Sequence, residues 1–190
     1  MSSPANAKET VRLAKSEDLP TWGRIQAQAM QADLQSHLGQ IGPRTLALID
    51  PEQITRAWQQ ALFSPPSPKH HLLTAVNAGQ VVGLAAIAPA PKMLVQPKQS
   101  PLAEKNADAE IVALEVCDWE NNRGDASRLV NAIGDMLRMS GASRVQIWLA
   151  AEAPEKIRFF SECGFAPAGL RQGLKVGHES MVQHLWFTDL

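Results

Sequence analysis

Apolar residues along the chain switch between two spacings, and the switches mark the elements. Ile111, Val112, Leu114 and Val116 form a mostly apolar run of strand length, which predicts a strand buried on both faces. After Ser127 the spacing changes. Leu129, Ile133, Met136 and Leu137 recur at three and four residues and predict a helix over about 125–139, stopped near Gly141. Nearer the start, Val11-Arg12-Leu13 reads as a brief strand. Ser16-Glu17-Asp18 then supplies an N-cap with acidic first-turn residues. The helix that follows carries Leu19, Trp22, Ile25, Ala29 and Met30 along one face. Asp50-Pro51-Glu52 repeats the start signal, with Asp as cap and Pro at the first helical position. Ile54, Trp58, Ala61 and Leu62 make the stripe of this second helix, which ends at a proline-rich connector, 64–68.

Residues 71–76 and 80–87 are β-rich runs around Asn77-Ala78-Gly79 and predict an antiparallel hairpin. The proline-rich stretch 89–107 reads as a loop. Val145 to Leu149 alternates as a strand, and Pro154 opens a short helix, 155–163, terminated by Gly164. Two further strands are expected at about 166–173 and 180–188, joined through Gly173 to Gly177. Residues 1–9 read as a flexible N-terminus and 10–190 as one domain. The order β-α-α-β-β-β-α-β-α-β-β argues an α/β (α+β) fold, a mixed, mainly antiparallel central sheet flanked by about four helices.

Composition narrows the function classes. The 190 residues suffice for one full core, and 45% hydrophobic content is ordinary for a globular protein. A formal net charge of -1 gives no basic excess for nucleic acid. Cys117 and Cys163 lack C-x-x-C or metal spacing and read as reduced core residues of a cytoplasmic protein. No histidine stands at ligand spacing with Cys or acid, so no metal is expected. The first ten residues lack an apolar signal core, and no run approaches membrane-spanning length, so neither secretion nor a membrane partner is expected. The chain contains no tyrosine.

The strand ending at Val116, the small-residue loop after it and the helix opening at 123–126 together make an anion site. Loop amides converge there and the helix dipole adds partial positive charge. Residues 122–128 read as an anion cradle, or else as a plain strand-to-helix turn with solvated arginines: in the cradle, Gly124 permits close main-chain approach, Ala126 keeps it open, and Arg123 and Arg128 add charge. Leu114-x-Val116-x-Asp118 followed by Asn121-Asn122-Arg123-Gly124-Asp125-Ala126 resembles the cofactor signature of the GNAT superfamily, the acyl-CoA-dependent N-acetyltransferases. That signature reads L-x-V-x-P, then Q/R-x-x-G-x-G/A. Here Asp118 replaces the proline, and Asn121 replaces Gln or Arg. A second stretch, Ile157 to Phe165, resembles the family's A-x-x-F-Y-x-x-x-G-F helix, which packs beside the acyl-CoA thioester. Phe160 stands where many members have the tyrosine that protonates the leaving thiolate, and Ala153 where an asparagine often touches the cofactor.

The resemblance covers most of residues 10–188 and is weakest over 31–70 and 89–107. It implies acetyl-CoA as cosubstrate, held by the main chain of Leu114, Glu115 and Val116, by Asn121, Asn122, Arg123, Gly124, Asp125, Ala126, Ser127 and Arg128 around the phosphates, and by Phe160. It also implies a general base. Glu110 stands 14 residues before Gly124, in an Ala-Glu-Ile-Val context like that of the family's histone acetyltransferase branch. A solvated glutamate at a strand start is the equal alternative. Glu115 is the fallback, with a parity that puts it on the other sheet face. Trp22, Trp58 and Trp119 serve the core or wall a substrate pocket. The expected acceptor is a small-molecule or peptide amine, with a homodimer as a further possible partner. A non-catalytic acyl-CoA-binding module is the competing reading. A nucleotide-phosphate binder is disfavoured by the lack of G-x-x-x-x-G-K-[ST].

Overall fold

The computed structural model describes residues 9–92, 105–119, 121 and 123–190. Residues 1–8 of the expected flexible lead, and 93–104 of the expected loop, lie outside the described residues. The elements are β1 (Thr10–Leu13), α1 (Leu19–Leu38), the single turn α2 (Pro43–Leu46), α3 (Pro51–Phe63), β2 (His71–Asn77) and β3 (Gln80–Pro89). After them come β4 (Ala109–Val116), α4 (Arg123–Met139), β5 (Arg144–Ala150), α5 (Pro154–Glu162), β6 (Ala166–Val176) and β7 (Glu179–Asp189). The strands form one seven-stranded sheet in the order β1-β2-β3-β4-β5-β7-β6. Among the described residues only β4 and β5 pair in parallel. The mixed, mainly antiparallel sheet with four long helices is the architecture the element order predicts.

Local chemistry explains most boundaries. Asp50 caps α3 by accepting from the Glu52 amide at 2.9 Å. Ala78 and Gly79 both take positive φ, 51° and 78°, the turn whose twist matches a tight hairpin. Leu129, Ile133 and Leu137 of α4 and Phe159 and Phe160 of α5 pack on one sheet face, against Ile111, Leu114, Val116, Val145 and Ile147. Leu19, Trp22 and Ile25 of α1 cover the other face with Leu84, and Trp58 of α3 packs against them. Trp22 and Trp58 meet edge to face at 5.4 Å, so both serve this core.

Four expectations are corrected. Ser16 to Asp18 forms a short 3₁₀ turn, and Asp18 does not cap α1. Its carboxylate is buried and accepts from Arg12 at 2.6 and 2.8 Å, from the Lys15 amide at 2.8 Å and from the Thr74 hydroxyl at 3.0 Å. These bonds fasten β1, β2 and the start of α1 together. Second, β6 runs through Gly173 to Val176, because Gly173 pairs with Val182 on β7 and the turn comes at Gly177. Third, Cys117 is exposed rather than in the core, and Cys163 is half-buried, packed against the edge of the core. Fourth, β4 is not buried on both faces throughout. Ala86 pairs with Ala113 but Ile87 pairs with Ile111, which leaves Val112 as an extra residue in a β-bulge, 56% exposed.

Burial pushes the Asp18 carboxyl up, but Arg12, Lys15 and Thr74 outweigh it and hold it below the usual carboxylate range. A depressed folded value stabilises the fold above the unfolded value of about 3.9, and that stability is lost as pH falls through the folded value. Asp18→Asn should cost about 2 kcal/mol at neutral pH, the worth of hydrogen bonds to a charged group. Urea melts at falling pH should show the difference between wild type and variant shrinking in acid. A pH-independent difference would contradict this role.

Candidate active site

The bulge at Val112 decides what β4 presents. Without it, Glu110 and Glu115 would point to opposite faces. With one extra residue between them, both line the same cavity. The expectation that Glu115 faces away from Glu110 is therefore overturned. This cavity, about 340 Å³, lies on the α1 side of the sheet. Gln26, Met30 and Asp33 of α1 form one wall, β4 and β5 the floor, and Gln172, Leu174 and Gln183 of β6 and β7 the far side.

β4 and β5 also part company here. Their ladder consists of Ala109–Val145, Glu110–Gln146 and Ile111–Ile147, and neither strand pairs with the other beyond that point. The β5-facing main chain of Leu114, Glu115 and Val116 thus has no ladder partner, and the strands open a slot. The side chains of Leu114 and Val116 are buried in the core under α4, so these residues offer a ligand only their backbone. Glu110 sits on the rung before the ladder ends, half-buried, with Gln146 donating from Nε2 to its Oε2 at 2.6 Å. Gln146 is fully buried, and its Oε1 has no partner among the described residues. Glu110 is thereby held in place through one oxygen.

A second cavity, about 460 Å³, continues along the slot between Gln28, Ala29 and Ala32 of α1, residues 116–119, and Ala153 to Lys156 at the start of α5. Trp119 walls it, as one reading of the tryptophans expected. Lys156 and Asp33 line both cavities. The Lys156 ammonium donates to Glu115 Oε1 and to Asp33 Oδ2, each at 2.8 Å, and is only 8% exposed. Trp119 Nε1 donates to Glu115 Oε2 at 3.0 Å. Burial disfavours charge on Lys156, but Glu115 and Asp33 outweigh it and hold its pKa above the usual lysine value. Burial and the neighbouring Asp33 charge push the Glu115 carboxyl up, and together they outweigh the pull of Lys156 and Trp119 in the other direction. Sequence reading missed Lys156, Asp33 and Gln146. One signal was available: the leading alanine of A-x-x-F-Y falls on Lys156.

α4 begins at Arg123, four residues along the chain from Trp119 in the wall of the second cavity. The first-turn amides of a helix lack intrahelical acceptors, and here these include the amides of Arg123, Gly124 and Asp125. Asp125 and Ala126 are buried, which leaves Arg123 and Gly124 as the accessible residues of this turn. A Cβ at Gly124 would meet nothing nearer than 3.9 Å, so the protein's own packing does not require glycine there. Arg123 reaches Glu162 at 2.6 Å, Ser127 donates to the Arg123 carbonyl at 2.9 Å, and Arg128 bridges Asp125 and Glu9. Asn121 is tied to Asp118 through both its amide and its side chain, at 3.2 and 2.7 Å. Asn122 lies outside the described residues. Phe160 is 0% exposed, sealed between Phe159 and Phe165, and shows no surface to either cavity. Among the described residues no group of three His, Cys, Asp or Glu is placed to hold a metal, and no helix is long and apolar enough to cross a membrane.

Comparisons with known proteins converge on one family. The profile of the Acetyltransferase (GNAT) family matches residues 40–165. No curated protein matches the sequence. Among solved structures, a ribosomal-protein-alanine N-acetyltransferase from Brucella melitensis superposes with a TM-score of 0.65 at 20% identity, covering 95% of this chain and 99% of its own. An N-acetyltransferase from Staphylococcus aureus Mu50 gives 0.64 at 16% identity, with coverage of 96% and 98%. The Salmonella typhimurium protein yncA, assigned as an acetyltransferase and solved with its cofactor acetyl-CoA, gives 0.63 at 16% identity, covering 97% and 94%. At these identities the likeness is one of fold.

Removing one partner of a buried ion pair leaves the others uncompensated, which typically costs about 3–5 kcal/mol. Lys156→Met should be destabilised on that scale. Adding Glu115→Gln should recover part of the loss by removing one of the two stranded carboxylates. Urea unfolding of the single and double variants measures this coupling. Strict additivity would mean that Lys156 and Glu115 do not interact.

Proposed function

The chain belongs to the acetyltransferase (GNAT) family, and from that premise we propose that it moves the acetyl group of acetyl-CoA to a primary amine by direct attack, with Glu110 as general base. One observation carries the base assignment: Glu110 opens into the cleft where β4 and β5 separate. The arrangement fits an acyl-CoA. The α4 amides suit a pyrophosphate, and the unpaired β4 backbone from Leu114 to Val116 suits the amides of a pantetheine arm. The second cavity continues from there to the cleft at Lys156.

At pH 7 a primary amine of pKa about 10.4 is protonated, and freeing its lone pair costs about 4–5 kcal/mol. Glu110, steadied by Gln146, takes that proton as the nitrogen attacks the thioester carbon. The carbon–sulfur bond then breaks and the sulfur leaves with the electron pair. The cleft, about 340 Å³, suits a small amine or an extended side chain, matching either a metabolite or a peptide acceptor. The Brucella relative's name points to a protein N-terminus, and that of a phosphinothricin N-acetyltransferase to a small molecule. A non-catalytic acyl-CoA-binding module is the second reading, favoured by the sealed Phe160 ring and by Asn121 bound to Asp118.

Acetyl-CoA at 100 times its Kd should stabilise the fold by about 2.7 kcal/mol, visible as a rise in Tm. Gly124→Val should leave the ligand-free stability within the range of surface substitutions, about 0.5 kcal/mol, because its Cβ meets only the Arg128 guanidinium at an ordinary contact distance of 3.9 Å. The same variant should lose the acetyl-CoA shift. No shift in wild type at millimolar acetyl-CoA would reject the cofactor reading.

With an accepted amine in hand, Glu110→Gln should lower kcat/KM by about 10²–10⁴. The loss should shrink at high pH, where free amine is abundant, with acetyl-CoA affinity unchanged. Glu115→Gln, on the same wall, should not change the pH dependence. Full activity in Glu110→Gln would remove the base assignment.

A further inference from the structure

The acetyl-transfer reading leaves one chemical requirement unmet. A thiolate departs, and the chain has no tyrosine to receive it. Phe160 is hydrocarbon and sealed in the core. We propose that the buried Lys156 ammonium, at the junction of the two cavities, receives the departing CoA thiolate. This rests on the acetyl-CoA reading above.

The position follows from the two cavities. With phosphates at the α4 amides and the arm along residues 114–116, the second cavity carries the cofactor toward the first, where Glu110 waits with the amine. The thioester must then lie where they meet, and the side chains common to both walls are Asp33 and Lys156. Among the described residues Lys156 is the only cation lining either cavity. Asp33, Glu115, Asp118, Glu155 and Glu110 on those walls are acids and would repel a thiolate. Two of the three ammonium protons are spent on Glu115 and Asp33. The third has no protein acceptor among the described residues, and the face of Trp119 lies 5.9 Å away, near the limit of a cation–π contact. A buried donor without an acceptor is one that a ligand atom can satisfy.

Relative proton affinities decide the kind of help. An alkyl thiol has a pKa of about 8.5 against about 10.4 for lysine. Glu115 and Asp33 hold Lys156 higher still. The ammonium therefore keeps its proton and stabilises the sulfur anion by charge and one hydrogen bond. The amine proton ends on Glu110 and passes to solvent. The CoA thiolate leaves as the anion and takes its proton from solvent, so the reaction balances without an acid on the enzyme.

The test needs no acceptor amine. CoA thiol is titrated on the protein by the ultraviolet absorbance of the thiolate. In wild type the bound thiol should titrate below free CoA by roughly 1–3 units, the range an adjacent opposite charge produces. Glu115→Gln, which keeps the ammonium, should retain the shift. Lys156→Met in the Glu115→Gln background should lose it while still binding CoA, and Lys156→Arg should restore part of it. Melting curves confirm that each variant is folded. Tight CoA binding with an unshifted thiol in wild type, or a shift that persists without Lys156, overturns this role and leaves the acetyl-CoA reading standing. Absence of any saturable CoA signal overturns both.

Discussion

One extra residue in a strand sets the geometry of the whole site. Val112 has no partner on β3, so β4 keeps its pairing on both sides of the bulge while its alternation slips by one. Ile111, Leu114 and Val116 can then all point into the core under α4, and Glu110 and Glu115 both toward α1. A regular strand would have to bury a carboxylate in the α4 core or turn apolar residues away from it. Across the strand, the β4–β5 ladder ends at Ile111–Ile147, and the slot begins there. Bulge and slot together form a cleft whose floor is main chain and whose chemistry is carboxylate.

The cost of opening a sheet in its middle is met by ties across the gap. Lys156 of α5 reaches Glu115 of β4 and Asp33 of α1 at 2.8 Å each, spanning the region that the β4–β5 hydrogen bonds leave. At the other end of the sheet, the Asp18 network fixes β1 and β2 to the start of α1, so that α1 is held as a wall. α3 reinforces α1 through the Trp22–Trp58 contact and the Trp58 bond to Gln26 at 2.5 Å. The acidic character of the cleft suits an amine that arrives as a cation.

What the sequence revealed depended on whether the signal was local. The strand–loop–helix around Gly124, the capped α3 and the Ala78-Gly79 hairpin were all legible, because each is written in neighbouring residues. The family resemblance was carried by the same stretch. The bulge was not legible: Val112 is apolar like its neighbours, and only pairing with β3 shows that it stands outside the alternation. That one missed residue reversed the inferred side of Glu115. Asp18 was read as part of a cap because Ser-Glu-Asp before a helix has that meaning locally, whereas its partners Arg12 and Thr74 come from strands. The Lys156–Glu115–Asp33 cluster joins residues 123 and 41 positions apart, which no spacing rule reaches. Phe160 was placed beside the cofactor by resemblance, and packing seals it between Phe159 and Phe165.

The central claim is that the parting of β4 and β5 is the cofactor's seat, with Glu110 and Lys156 on either side of the reacting centre. A crystal structure with acetyl-CoA bound tests it most directly. The account predicts the pyrophosphate on the first-turn amides of α4, the arm along the free edge of Leu114 to Val116, and the sulfur within hydrogen-bond reach of Lys156 Nζ. The thioester carbon should face the cleft that holds Glu110. Acetyl-CoA bound elsewhere, or seated in the slot with its thioester turned away from Lys156 and Glu110, would contradict it.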